Sequence, residues 1–217
     1  MIKYGHNIEV ELKEDSERMD VYEEIYDKNK KLIAIAIEKI KVCENDPLHF
    51  IGHTIDVVNY VKELLEEIPA NKEICIIAAY WHDVGRSVTD KGHEESGKIL
   101  KDEMAKLGYS NEIIEQCYLA VVNHKRKCIP PTIEGKIVRD ADKIAYIGKH
   151  RWKRCIEEEP EALDEIIEVY LPILREEILK LEYSKELFDR DMNSYVKEYI
   201  EIWKIKRKAT SDEDSNN

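Results

Sequence analysis

Residues 72–86 read KEICIIAAYWHDVGR, and the spacing of apolar side chains in this stretch decides the fold class. Ile74, Ile77, Ala78 and Trp81 recur at offsets of 0, 3, 4 and 7, the period of one helix face, with Asn71 placed to cap the helix start. The run closes on an adjacent imidazole and carboxylate, His82-Asp83, followed by a turn glycine and Arg86. The same periodicity extends outward in both directions, and no segment alternates as a half-buried strand would. Upstream, an amphipathic helix is predicted over 16–43. Asp46-Pro47 reads as a capping residue and an N1 proline opening the helix LHFIGHTIDVVNYVKELLEEI, which stops before Pro69. Downstream, helices are predicted over 92–107 and, capped by Ser110, over NEIIEQCYLAVVNH. Pro130-Pro131 forces a break, after which GKIVRDADKIAYIG (135–148) resumes the pattern. Two or three amphipathic helices follow Glu157, and the polar acidic end ATSDEDSNN (209–217) is expected to be disordered. The chain reads as all-α, one domain over 1–217: a helical bundle with its core at about 46–154, an N-terminal helical extension and a C-terminal one at 160–208.

Eight glycines and six prolines in 217 residues fit long helices better than a many-turned β-fold. A net charge of −12 argues against broad binding to nucleic acid or an anionic membrane. No apolar run approaches the ~18 residues of a membrane span, and no signal peptide opens the sequence. Five scattered cysteines (Cys43, Cys75, Cys117, Cys128, Cys155) without CxxC spacing suit a reducing compartment. A soluble cytoplasmic protein is expected, with homo-oligomerisation left open. The charge is uneven: residues 125–154 hold ten Lys/Arg against three acids, a local +7 inside an acidic chain. Such an island suits a compact phosphate ligand better than a long polyanion.

The histidines carry the chemistry. His53 shares a helix face with Val57, Val61 and Leu64; His82 follows Ala78 and Ala79; His124 follows Cys117 and Val121. His93 opens a helix, and Asp140 and Asp142 flank the apolar stripe Ile137, Ala141, Ile144 and Ala145. Singly, each histidine reads as a core residue with a local partner. Together, four imidazoles and two or three carboxylates turned inward need partners that an apolar core lacks, and a divalent cation satisfies them at once. Mixed imidazole and carboxylate donors suit Mn, Fe, Co, Ni or Zn better than Mg or Ca.

The order His…His-Asp…Asp on separate helices, with the phrases HDVGR (82–86), GHEESG (92–97) and VRDADKIAYIG (138–148), resembles the HD superfamily of metal-dependent phosphohydrolases in its small stand-alone bacterial form. The resemblance covers about residues 46–154 and implies the helical HD-domain fold with one or two divalent ions (Mn, Fe, Co, Ni, Zn or Mg). It implies His53, His82 and Asp83 as ligands of a first metal, completed by Asp142, with Asp140 as a supporting residue or alternative. His93 and His124 would complete a second site bridged by Asp83, or grip substrate phosphate directly. The implied reaction is attack of a metal-activated water on phosphorus in a small phosphorylated substrate, a nucleotide or similar ester. Arg86, Lys125 and Lys143 are the candidate phosphate contacts, and Glu94 a candidate proton shuttle. A di-iron oxygenase of the same superfamily and a non-catalytic nucleotide-binding module are the alternatives. Cyclic-dinucleotide and guanosine tetraphosphate hydrolysis are disfavoured, because no GYP sequence follows His124 and Arg86-Ser87 replaces an HDxxED continuation.

Overall fold

A computed structural model describes residues 5–43, 46, 48–89, 92–125, 127–158 and 160–214, and these are helical with no strand among them. The helices are α1 (Gly5–Ile40), α2 (Ile51–Glu67), α3 (Lys72–Trp81), α4 (Gly92–Lys106), α5 (Asn111–Val122), α6 (Ile133–Ile144), α7 (Lys149–Glu157), α8 (Pro160–Glu165), α9 (Leu171–Ile173), α10 (Glu182–Asp191) and α11 (Lys197–Asp214). None is long and apolar enough to cross a membrane.

α3 is the axis. Ile74, Cys75, Ile76, Ile77, Ala78, Ala79 and Trp81 are all buried, so the helix is apolar around most of its circumference and not on one stripe. A helix of this kind is stable only when surrounded, and α1, α2, α5 and α6 pack about it. Asn71 caps α3 by accepting from the Ile74 N–H at 3.3 Å, and Ser110 does the same for α5. After the Pro130-Pro131 break, Thr132 caps α6 through the Gly135 N–H at 3.1 Å.

The start expected at Asp46-Pro47 is displaced. Phe50 is extended and α2 begins at Ile51, while Asp46 accepts from the Leu48 and His49 N–H groups in a turn ahead of the helix. The short aspartate side chain mimics a backbone turn, so the same residue type serves either role. Pro47 lies outside the described residues.

α6 is enclosed on every side: Ile137 through Ile144 are all buried, Arg139, Asp140, Asp142 and Lys143 included. One side faces α2, α3 and α5, and the other is covered by the C-terminal segment. That segment holds π-helical turns at Ile166–Tyr170, Leu174–Ile178 and Met192–Val196. Pro172 lies between the first two, where its missing N–H breaks the regular ladder. Leu163, Ile166, Leu174, Ile178, Leu187 and Phe188 insert into the same core. α11 runs on to Asp214, so helical backbone reaches into the stretch expected to be disordered; propagation adds one bond per residue and carries a helix past the end of its apolar pattern. Residues 215–217 lie outside the described residues.

Candidate metal centre

Three elements converge where α2, the end of α3 and α6 meet. α2 contributes His53, α3 ends on His82 and Asp83, and α6 contributes Asp142; all four are buried. One donor atom from each of His53, His82 and Asp142 lies within 4.8 Å of the other two, so these residues could hold a metal ion. The His53 Nε2 is 3.3 Å from the His82 Nε2 and 3.3 Å from Asp142 Oδ1. Asp83 turns Oδ2 toward the same group, 3.2 Å from His82 Nε2 and 3.8 Å from His53 Nε2. Its Oδ1 faces the other way, 3.7 Å from His124 Nε2 and 3.1 Å from the Arg86 Nε, which donates to it.

The donor chemistry fits a cation. His82 Nδ1 donates to the Ala79 carbonyl at 2.8 Å, and His124 Nδ1 donates to the Val121 carbonyl at 2.5 Å. In each ring Nε2 then faces a carboxylate oxygen of Asp83, a pairing that is repulsive unless a proton or a metal stands between. The fixed Nδ1–H bond to a carbonyl is also the arrangement that orients imidazole ligands. The pKa shifts follow from the same crowding. Burial, with the Arg151 charge nearby, pushes His53 down to about 3. Burial also opposes charge on His82, but Asp83 and Asp142 outweigh it and raise that pKa. Burial opposes ionisation of Asp83 and Asp142 too, yet both lie well below the carboxylate range, Asp83 held there by His82 and His124 and Asp142 by Lys143 and His53.

Above this group opens a cavity of about 90 Å³, lined by His49, Asp83, Arg86, Gly92, His93, His124, Lys125, Asp142, Lys143, Tyr146 and Arg151. Arg86, Lys125 and Lys143, the predicted phosphate contacts, all reach it. His93 and His124 line it as well, with ring centroids 6.2 Å apart. The Lys143 ammonium donates to Asp142 Oδ2 at 2.5 Å, the oxygen that His53 leaves free. The basic island is not one surface: Arg139, on α6, is buried against the C-terminal segment and Arg154 bonds Glu158, so only part of it faces the cavity. Arg126 lies outside the described residues.

Two predicted residues are elsewhere. Asp140 points away from the histidines: its Oδ1 accepts from Arg139 at 2.6 Å, and its Oδ2 accepts from the Lys180 and Leu181 N–H groups and the Ser184 hydroxyl. Oδ2 is committed to anchoring the C-terminal segment and Oδ1 to the neighbouring Arg139. Glu94 stands at the solvent side of His93, 3.9 Å from its Nε2, and does not line the cavity. Among the other lining residues, Tyr146 and Arg151 had no predicted role at the site, and His49 reads from sequence as a helix-start residue or a supporting partner of His53. His49 lies four residues before His53, a spacing that signals proximity, and its Nδ1 bonds Asp46 at 2.8 Å. No such spacing points to Arg151, because α7 is placed by a contact across 95 residues, Asp56 Oδ2 accepting from the Arg151 N–H.

Comparison with known proteins gives a consistent picture. Residues 50–147 match the family model of the HD domain. Ribonuclease Y of Cutibacterium acnes is 28% identical over 120 residues, covering 55% of this chain and 21% of that protein. A deoxyguanosinetriphosphate triphosphohydrolase-like protein of Caldanaerobacter subterraneus is 26% identical over 110 residues, covering 44% of this chain and 32% of its own length. The chain thus spans between a fifth and a third of these relatives. Among solved structures, a predicted HD superfamily hydrolase from an uncultured Thermotogales bacterium superposes with a TM-score of 0.60 at 21% identity, over 82% of this chain and 91% of that one. At that identity the likeness is one of fold.

Proposed function

The chain belongs to the HD superfamily through residues 50–147, and on that premise we propose that it is a metal-dependent phosphohydrolase acting on a small phosphate ester, with nucleotides as the first class to test. The observation that carries this reading is the meeting of His53, His82 and Asp142, with Asp83 beside them, at the floor of a cavity ringed by cations. His53, His82, Asp83 and Asp142 would hold a divalent ion. When bound, such an ion lowers the pKa of water towards neutrality and neutralises charge on phosphoryl oxygens. The remaining work falls to side chains. Arg86 and Lys143 steady the outer oxygens of Asp83 and Asp142, and with Lys125 they turn positive charge toward an entering phosphate. Asp83 turns one oxygen toward His53 and His82 and the other toward His124, so it would serve a second ion as well if His93 and His124 held one; the same histidines could instead contact phosphate.

The names of these relatives point to RNA cleavage in one case and to a nucleoside triphosphate in the other. The net charge of −12 and the small cavity favour a small ester over RNA here. The test is a panel of nucleoside mono- and triphosphates, small phosphate esters and a short RNA, with Mn²⁺, Co²⁺ or Ni²⁺. Release of phosphate or pyrophosphate that His82→Ala abolishes is the expected result. Silence of the metal-loaded protein across the panel, or two irons with a paramagnetic signature, counts against hydrolysis.

A further inference from the structure

Among the cations at the cavity, Arg86 donates to Asp83 and Lys143 to Asp142, whereas Arg151 differs. It is 2% exposed, and only its Nη2 is engaged, donating to the Leu48 carbonyl at 2.5 Å. Its Nε and Nη1 have no hydrogen-bond partner, although the residue lines the cavity. Asp56, the carboxylate that holds the start of this helix, is already engaged: it accepts from the backbone N–H groups of His150 and Arg151 and from the His150 ring. The guanidinium lies 5.0 Å from the centre of the Tyr146 ring, and Tyr146 is itself stacked on Tyr170 at 4.5 Å. A buried guanidinium with two idle donors destabilises a fold unless something completes it. Here the helix carrying it is pinned through its backbone, its head is held by one carbonyl and one ring, and two buried donors are left without a partner beside the cavity that the residue lines.

We propose that Arg151 is a substrate-binding residue whose guanidinium grips two non-bridging oxygens of a terminal phosphoryl group along the edge that the Leu48 carbonyl leaves open. The assignment rests on the phosphohydrolase reading and narrows it. A planar fork of N–H donors matches two oxygens of one phosphate, which an ammonium does not. The cavity, about 90 Å³ against the roughly 300–1,000 Å³ of pockets that enclose a drug-sized ligand, admits a phosphoryl group and leaves the body of the substrate outside. A terminal phosphate enters head-first; a diester, substituted on both sides, does not. The substrate class is therefore a phosphomonoester, or a chain ending in a terminal phosphate.

The test is calorimetric binding of orthophosphate and of diethyl phosphate to Mn²⁺-loaded wild type, Arg151→Ala and Arg151→Lys, with bound Mn²⁺ and thermal unfolding measured on each. Wild type is expected to bind orthophosphate at least ten-fold more tightly than diethyl phosphate. Arg151→Ala should lose ten-fold or more in orthophosphate affinity at unchanged metal content, and Arg151→Lys should recover it only in part. Should the alanine variant not fold, Arg151→Lys decides: it keeps the charge and lacks the fork. Orthophosphate affinity equal to wild type in either variant, or a preference for the diester, overturns the inference and leaves the hydrolase reading standing. A wild type that takes up no divalent ion overturns the hydrolase reading and the inference with it.

Discussion

Asp140 and Asp142 lie two residues apart on α6, and both are buried, yet their oxygens meet different partners. Helical phase places both beside an apolar stripe and cannot rank them, because α6 is enclosed all round and either face is interior. The partners that claim Asp140 lie about forty residues further on, beyond the reach of local spacing. The two should fail differently. Removing Asp140 leaves Arg139 buried without its carboxylate, a loss of about 3–5 kcal/mol; Asp140→Ala should lower the urea midpoint sharply, while the fraction still folded keeps its metal. Asp142→Ala should stay folded and lose divalent-ion binding, read by elemental analysis after dialysis. The pKa directions add a prediction on pH. A proton competes with a metal for an imidazole only where the metal-free pKa is high enough to hold one. His53, lowered to about 3, offers no such competition near neutrality, whereas His82, raised by Asp83 and Asp142, is the ring at which a proton competes. Metal affinity should therefore fall as pH drops from about 8 to 6, with proton release on binding detectable by calorimetry in buffers of different ionisation enthalpy. An affinity flat across that range would remove His82 from the ligand set.

At the level of elements, α3 was the most legible part of the chain, because its apolar period and its Asn71 cap are both local. The start of α2 was not, since an aspartate before a proline suits a turn as well as a cap. The link from α3 to α4 shows what the phrases HDVGR and GHEESG accomplish together. The Gly85 N–H donates to the Ser96 hydroxyl at 2.7 Å, and a Cβ on Gly85 would sit 2.0 Å from the Gly92 carbonyl oxygen and 2.4 Å from the Ser96 nitrogen. Both obstacles are backbone, so the start of α4, and His93 with it, rests against a bare glycine. Gly85→Ala must push α4 away from Asp83. It should cost about 1–3 kcal/mol in unfolding free energy, as overpacking does, together with a loss of activity greater than the stability loss explains. Ser96→Ala leaves the Gly85 N–H unsatisfied at about 1–3 kcal/mol but keeps the approach. It should therefore lower Tm while retaining more activity than Gly85→Ala. Equal activity in the two variants would show that the close packing does not position the site.

At the scale of the whole molecule, the site depends on residues far outside the HD-domain match. Read from sequence, the C-terminal helices suit either capping the site or pairing with another subunit, and no local residue pattern decides between the two. In the fold they close over α6: Asp140 anchors the Lys180–Ser184 turn, Arg139 donates to the Ile178 carbonyl, Tyr60 donates to Asp191 at 2.6 Å and Tyr195 to the Ile147 carbonyl at 2.5 Å. α6 carries Asp142 and Lys143 on one side and these anchors on the other, so the metal group and the C-terminal cover share one helix. A chain ending at Glu158 would expose that side and lose the burial of Leu163, Ile166, Leu174, Ile178, Leu187, Phe188 and Val196. Each burial of that size contributes about 1.5–3 kcal/mol, and a few of them equal the roughly 5–15 kcal/mol net stability of a typical domain. The truncated chain should therefore show no cooperative thermal transition and no stoichiometric metal uptake. A shortened protein that unfolds cooperatively and still binds its ion would mean that residues 50–147 and the N-terminal helix fix α6 unaided, and that the C-terminal helices serve something other than the site.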